Sequence, residues 1–218
     1  YNANDAIQAH YNAFADFKVD EKTAKKMREA GFGSVMTFKP DGIARGSSVF
    51  VTLGEESANE VMLSPKAAAL YSFDKGSSRQ AYPSSLIGSI SLLRQTYLDA
   101  TWYKSLKVKP FADNSLDAWN NNQSLPQIFE ANSWINALRA DKVGDEFGVQ
   151  YIIKGGGDAY QRAEALKNSN ATLIVPVNYP AAYDVEDPID AYTVTLAQMK
   201  HWELAPANLA HLEKNGIP

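Results

Sequence analysis

The chain reads as an α/β protein built on a parallel sheet with helices packed over it, and three observations predict this. Residues 149–153, VQYII, form a short run rich in β-branched and apolar side chains, the composition of a strand buried on both faces. Gly155, Gly156 and Gly157 end the run, Asp158 is a good N-cap, and Ala159, Ala163 and Leu166 follow at helical spacing. After turn residues at 168–170, a second apolar run at 171–177 completes a β-α-β crossover, the connection that parallel strands require. Ligands bind such sheets at the carboxyl ends of the strands. The informative residues are therefore 154–157 after the first strand and 178–183 after the second.

The other elements follow in order. Residues 1–17 mix aromatic and polar side chains with weak helical spacing. Residues 20–30, DEKTAKKMREA, are a surface helix with acids first and bases after, which suits the macrodipole, and Gly31 ends it. GSVMTF at 33–38 is a strand. Residues 40–48 are turn-rich. The runs 49–53 and 60–63 flank GEESAN and can pair as an antiparallel hairpin. Residues 67–80 are irregular and end in KGSSRQ, a mobile loop or a surface connection.

The longest helix lies at 83–104, where Leu86, Ile90, Leu93, Tyr97 and the 100–101 region share one apolar face. A polar loop with Pro110 follows, then a short helix capped by Ser115 and stopped by the asparagines at 120–122. PQIFEA at 126–131 is a strand, 133–147 a helix, and Gly148 lies at its end. Residues 180–192 form an acidic loop with two prolines, 196–202 and 207–214 are helical, and Asn215-Gly216 stops the second. GSVMTF, PQIFEA, VQYII and TLIVPV are then the parallel-strand candidates, half of an eight-fold barrel or a complete small open sheet. The expected organisation is a single α/β domain, 1–218, with 40–80 as an irregular or hairpin insertion.

A length of 218 residues allows one or two domains with a sizeable core. The chain is 45% hydrophobic and 21% charged, with a mean hydropathy of −0.32, as in ordinary soluble proteins. A net charge of −4 gives no electrostatic reason to expect nucleic acid or an anionic membrane as partner. The absence of cysteine excludes disulfides, a thiolate nucleophile and cysteine metal ligands, and leaves the compartment open. No run approaches the roughly 18 apolar residues of a membrane span. Tyr1 opens the chain without methionine, and Asn-Gly-Ile before Pro218 reads as the lead-in to another strand. A piece of a longer protein is expected.

Several residues are candidates for chemistry. A strand, then glycines, then a helix N-terminus can present backbone amides to a phosphate, as in Lys154-Gly155-Gly156-Gly157-Asp158. The spacing matches neither a dinucleotide loop nor a P-loop, and a tight βα turn is the better reading. Glu130 ends a strand, where a barrel places active-site side chains. It could bind a metal or act as a base; equally, it could be a rim carboxylate paired with Arg139 or Lys154. Asp184, Glu186, Asp187 and Asp190 lack EF-hand spacing and read as a solvated loop rather than a calcium site. His10, His201 and His211 are isolated, which argues against a histidine metal site made by this chain, and His201 beside Trp202 suits a packed histidine. Ser34, Ser47 and Ser85 have no G-x-S-x-G setting, and Trp102, Tyr103, Trp119 and Trp134 suit core packing.

The segments GFGSVMTFKPDGIARGSSVFVTLGEE, SSLIGSISLLRQTYLDATWYK and PQIFEANSWINALRADKVGDEFGVQYIIKGGGDAYQRAEAL, in that order, resemble the imidazolonepropionase-like branch of the amidohydrolase superfamily. The likeness is greatest to large amidohydrolase-related proteins of Bacteroidetes-type bacteria and runs from about residue 19 to 218. It implies a partial TIM-barrel-like sheet, the middle portion of a metal-dependent (β/α)8 hydrolase. The family's His-x-His strand would lie before Tyr1 and its aspartate strand after Pro218. Its His-Ala motif falls on Phe129-Glu130-Ala131, so Glu130 stands in a histidine slot; a second slot falls at Lys154-Gly155, again without histidine. These departures fit a barrel that has lost its metal or a branch with altered ligands.

The resemblance implies hydrolysis of an amide or cyclic imide C–N bond. Glu130 would be ligand or base, and Lys154 would hold a substrate carboxylate or the developing anion. Gly155, Gly156 and Asn178, which follow the same strands, are the expected substrate contacts. No cofactor is expected in this chain, with a divalent metal such as zinc in the parent protein. The expected partners are the remainder of the parent chain and a small amide-type substrate, with no nucleic acid and no membrane. A homo-oligomer would cover the sheet edges of a half barrel. The alternative is a non-catalytic structural or substrate-binding domain of a larger hydrolase, and the isolated chain is expected to be inactive.

Overall fold

The computed structural model describes residues 4–217. The first three positions of the weak helical spacing expected over 1–17 lie outside the described residues, as does Pro218. Two compact units divide the chain, Tyr1–Ile128 and Phe129–Pro218.

The first unit opens with α1 (Ala13–Asp16) and α2 (Glu21–Glu29). Asp20 caps α2 by accepting the Thr23 N–H at 3.1 Å, and Gly31 leaves it at φ +93°. Strands β1 (Ser34–Thr37), β2 (Ala44–Ser47) and β3 (Val49–Thr52) follow, then α3 (Ala58–Val61), β4 (Met62–Ser64) and β5 (Ala69–Ser72). β1 pairs with β3 antiparallel, Ser34 opposite Thr52, and β3 pairs with β4 antiparallel. The hairpin expected around GEESAN is present, whereas GSVMTF does not belong to a parallel set: its partner is the hairpin strand next to it. Val49, Val51, Val61 and Ala13 are buried between this sheet and α1, with Phe14, Phe17 and Val35 packed on them.

β2 and β5 lie in stretches read as turn-rich and irregular. They pair antiparallel, and all their residues are buried. Gly46 makes this possible: it sits at φ +75°, and a Cβ there would stand 2.0 Å from the Tyr11 carbonyl oxygen. Ser47 N–H donates to that same oxygen at 2.9 Å. The unit continues with α4 (Leu86–Ser105), capped by Ser85, and α5 (Asn114–Asn122). Asp113 caps α5, not Ser115; its carboxylate accepts the Ser115 and Leu116 N–H groups, both at 2.9 Å. On α5, Trp119 is buried edge-on against Tyr71, at 5.4 Å between ring centres, and Tyr97, at 4.8 Å.

Strand β6 (Gln127–Glu130) straddles the boundary. The second unit continues with α6 (Trp134–Glu146), β7 (Ile152–Lys154), a 3₁₀ turn (Ala159–Arg162), α7 (Ala163–Asn168) and β8 (Thr172–Ile174). β7 and β8 are parallel neighbours, Ile152 opposite Thr172 and Lys154 opposite Ile174, as the crossover reading requires. Both are shorter than read. The Val149 N–H donates to the Gly144 carbonyl at 2.9 Å, so that residue closes α6 rather than opening β7. Past Ile174, Pro176 brings no N–H for a ladder. Ala131 N–H donates to the Lys154 carbonyl at 2.9 Å and lays the end of β6 beside β7.

Helices α8 (Pro188–Thr193), α9 (Leu196–Leu204) and α10 (Asn208–Lys214) complete the unit. α8 lies where only an acidic loop was read, with Asp187 as its cap. The class is α/β, with a parallel-rich mixed sheet flanked by helices, and the described strands do not close into a barrel. Among the described residues no helix is long and apolar enough to cross a membrane.

Candidate functional site

Glu130 is the last residue of β6 and Lys154 the last of β7. These strands are neighbours, so residues twenty-four positions apart end side by side at one edge of the sheet. The Lys154 ammonium donates to Glu130 Oε1 in an ion pair. Their side chains are 28% (Glu130) and 43% (Lys154) exposed, so solvent or a small molecule reaches both. Of the two cations considered for Glu130, Lys154 is the one placed on it, while Arg139 donates to Asn136 Oδ1 at 2.8 Å.

The glycines after Lys154 have separate structural jobs. The Gly155 N–H donates to the Ile174 carbonyl at 3.0 Å, extending the β7–β8 pairing. Gly156 passes against the chain between β6 and α6, where a Cβ would stand 2.2 Å from the Asn132 carbonyl oxygen. Gly157 adopts φ +88°, which favours glycine. The tight-turn reading accounts for all three.

Asp158 does not cap the helix that follows it. The next residues form a 3₁₀ turn without a side-chain cap, and Asp158 Oδ1 instead accepts the Trp134 N–H at 2.8 Å, at the start of α6. Burial pushes its carboxyl above the usual range, partly offset by the Trp134 N–H and by His201. Burial likewise raises the Tyr160 phenol. Tyr160 lies parallel to the His201 ring, with its hydroxyl 3.2 Å from His201 Nδ1, so His201 is packed and hydrogen-bonded as its sequence setting suggested.

Asn178 stands exposed in the loop beyond β8, while Gly155 and Gly156 adjoin Lys154. In the acidic segment, Asp184 closes a turn on Glu186 N–H at 3.2 Å and Asp187 accepts the Ile189 N–H at 2.7 Å. Trp119 and Tyr103 are core residues as expected, whereas Trp102 is 48% exposed. Asn208 escaped the sequence reading: its Oδ1 accepts the Tyr160 N–H at 2.8 Å and ties α10 to the 3₁₀ turn. No local pattern announces a partner forty-eight residues away.

A carboxylate beside an ammonium at strand ends can exchange a proton and hold an anion. A metal centre is a different matter. Among the described residues no group of three or more His, Cys, Asp or Glu side chains could hold a metal ion. The residues present therefore do not fit the divalent metal implied by the resemblance.

No family model matches the sequence, and no curated protein matches it. Among solved structures, an amidohydrolase from Thermotoga maritima MSB8 is similar in fold, with a TM-score of 0.74 at 17% sequence identity. The similarity covers 99% of this chain and 58% of that one, so the chain spans just over half the length of the structure it matches.

Proposed function

We propose that the chain is part of an amidohydrolase-type hydrolase acting on the C–N bond of an amide or cyclic imide. One observation carries the reading: Glu130 and Lys154 meet at the ends of neighbouring strands, in a fold similar to an amidohydrolase over 99% of the chain. In this proposal Glu130 takes a proton from water as the water oxygen attacks the carbonyl carbon. The Lys154 ammonium faces the oxygen that gains negative charge. Glu130 then returns the proton to the nitrogen as the C–N bond breaks. Asn178 would hold the substrate from the loop beyond β8. The Gly155 N–H is committed to Ile174, so Gly155 and Gly156 would contribute close approach rather than a donor.

In its finer form the proposal places the chain in the imidazolonepropionase-like branch, as the middle portion of a (β/α)8 barrel. The remainder of a longer parent chain would be its partner, or a second copy pairing along the exposed edge of β8. Zinc in that parent would draw ligands from outside the described residues, and no step here runs through it. The isolated 218-residue chain is then inactive.

A second reading, a non-catalytic domain of a larger hydrolase, is favoured by the turn itself, since packing and backbone conformation alone account for Gly156 and Gly157. An assay of the longer parent against amides and cyclic imides, with its zinc content, separates the two. Glu130→Gln that abolishes turnover in a folded parent supports catalysis; unchanged turnover leaves the structural reading. Turnover by the purified 218-residue chain would overturn its assignment as inactive.

A further inference from the structure

The two charged strand ends are followed by two turns that lie against each other inside the second unit. Trp134 stands four residues after Glu130, and Asp158 stands four residues after Lys154. Between those positions the backbones meet twice. The Ala131 N–H donates to the Lys154 carbonyl at 2.9 Å. Gly156 then passes so close to Asn132 that a Cβ would stand 2.2 Å from its carbonyl oxygen. Asp158 closes the pair of turns, its Oδ1 accepting the Trp134 N–H at 2.8 Å. Just beyond, the Arg162 guanidinium carbon lies 5.1 Å from the centre of the Trp134 ring.

We propose that Asp158 is a positioning residue for the Lys154–Glu130 pair. Helix α6 already has a local cap, because the Ser133 side chain accepts the Asn136 N–H at 3.4 Å. The first N–H of a helix can be left to water. Here a carboxylate from another turn takes it, and what that bond fixes is the spacing of the two turns. Gly155, Gly156 and Gly157 separate Lys154 from Asp158, and glycine has the most backbone freedom to lose on ordering. An anchor at the far end of such a turn holds its path and so steadies the lysine at its near end. The consequence for turnover rests on the hydrolase reading, in which the ammonium must face the oxygen that gains charge.

The direct readout is in the isolated 218-residue chain: the NMR coupling across the hydrogen bond from Lys154 Nζ to the Glu130 carboxyl carbon. Asp158→Ala should weaken it while chemical shifts far from the turns stay in place. Asp158→Asn keeps an acceptor oxygen and should restore it, which a general loss of stability would not do. Trp134→Pro removes the donor instead, at the first position of the helix, where proline is tolerated. It should weaken the coupling as Asp158→Ala does, and the two together should do no more. An unchanged coupling in either single variant, an equal loss in Asp158→Asn, or additive losses in the combined variant overturns the role. In an active parent, Asp158→Ala should lower kcat by about 10–100-fold with KM little changed. An unchanged kcat overturns the role in catalysis. A parent with no turnover overturns the hydrolase reading alone, and the coupling in the isolated chain still decides the positioning.

Discussion

The Asp158 carboxylate accepts the Trp134 backbone N–H at 2.8 Å and so joins the turn after β7 to the first residue of α6, twenty-four positions earlier. It acts as a cap supplied from elsewhere in the chain, placed where the positive end of the helix favours an acceptor. Asp158→Ala is expected to lower stability by about 1 kcal/mol, as loss of a cap does. Asp158→Asn keeps an acceptor oxygen and should cost less. Urea unfolding of both variants measures the difference.

Acidity tests the same residue by a different route. Burial raises the carboxyls of Asp158 and of Asp141, the latter also through Asp145. A carboxyl raised on folding binds more protons in the folded state between its unfolded and folded values. Stability from these two groups therefore falls as pH rises through that window and is regained as pH falls. Asp41 behaves oppositely, because the N–H and hydroxyl of Ser77 hold its carboxyl down. Its stabilisation is present above the unfolded value and is lost as pH falls through the folded one. Asp141→Asn should raise stability at neutral pH and flatten the acidic-to-neutral profile. A steeper profile for this variant would contradict the assignment.

Two adjacent glycines give a test with its own control. A Cβ at Gly155 meets nothing within 4 Å, whereas one at Gly156 meets the Asn132 carbonyl at 2.2 Å. Gly155→Ala should be tolerated. Gly156→Ala must push backbone aside and should cost about 1–3 kcal/mol. Thermal melts of the two variants decide this, and equal losses would contradict the close approach.

The Glu130–Lys154 pair is partly exposed, so its contribution to stability is small despite its geometry. A double-mutant cycle with Glu130→Gln and Lys154→Met should give a coupling of about 0.2–1 kcal/mol that shrinks with added salt. A pair kept for stability alone would show a larger and salt-insensitive coupling.

Trp119 is 1% exposed between Tyr71 and Tyr97. Trp119→Ala should cost the first unit about 3–5 kcal/mol, read from the denaturant midpoint.

Legibility followed the range of the interactions. Helices α2, α4 and α6 are plain in the sequence because caps and periodicity are local. The β7–β8 crossover is plain for the same reason, whereas the pairing of Glu130 with Lys154 stood only as one option beside Arg139, because it depends on β6 lying next to β7. Strands β2 and β5 were not readable. Each is four residues long, and buried polar residues such as Arg45, Ser47 and Ser72 break any apolar pattern. Arg45 is accommodated because its Nε reaches the Gly42 carbonyl at 3.1 Å, a contact invisible without the fold. Pairing direction is a further long-range property: β1 has the letters of a buried parallel strand and an antiparallel partner. Asp158 has the letter of a cap, and nothing local says which helix it serves.

Helices α8 and α9 bury none of their side chains, and Ile189 and Tyr192 are 77% and 92% exposed. Segments that hide so little apolar surface open at low free energy, so their amide protons should exchange well ahead of those in β7 and α6. Proteases should nick the chain there first, leaving β7 and α6 intact. Little of the unit's cohesion rests on residues 185–200, and these positions are free to change with little effect on whether the rest folds.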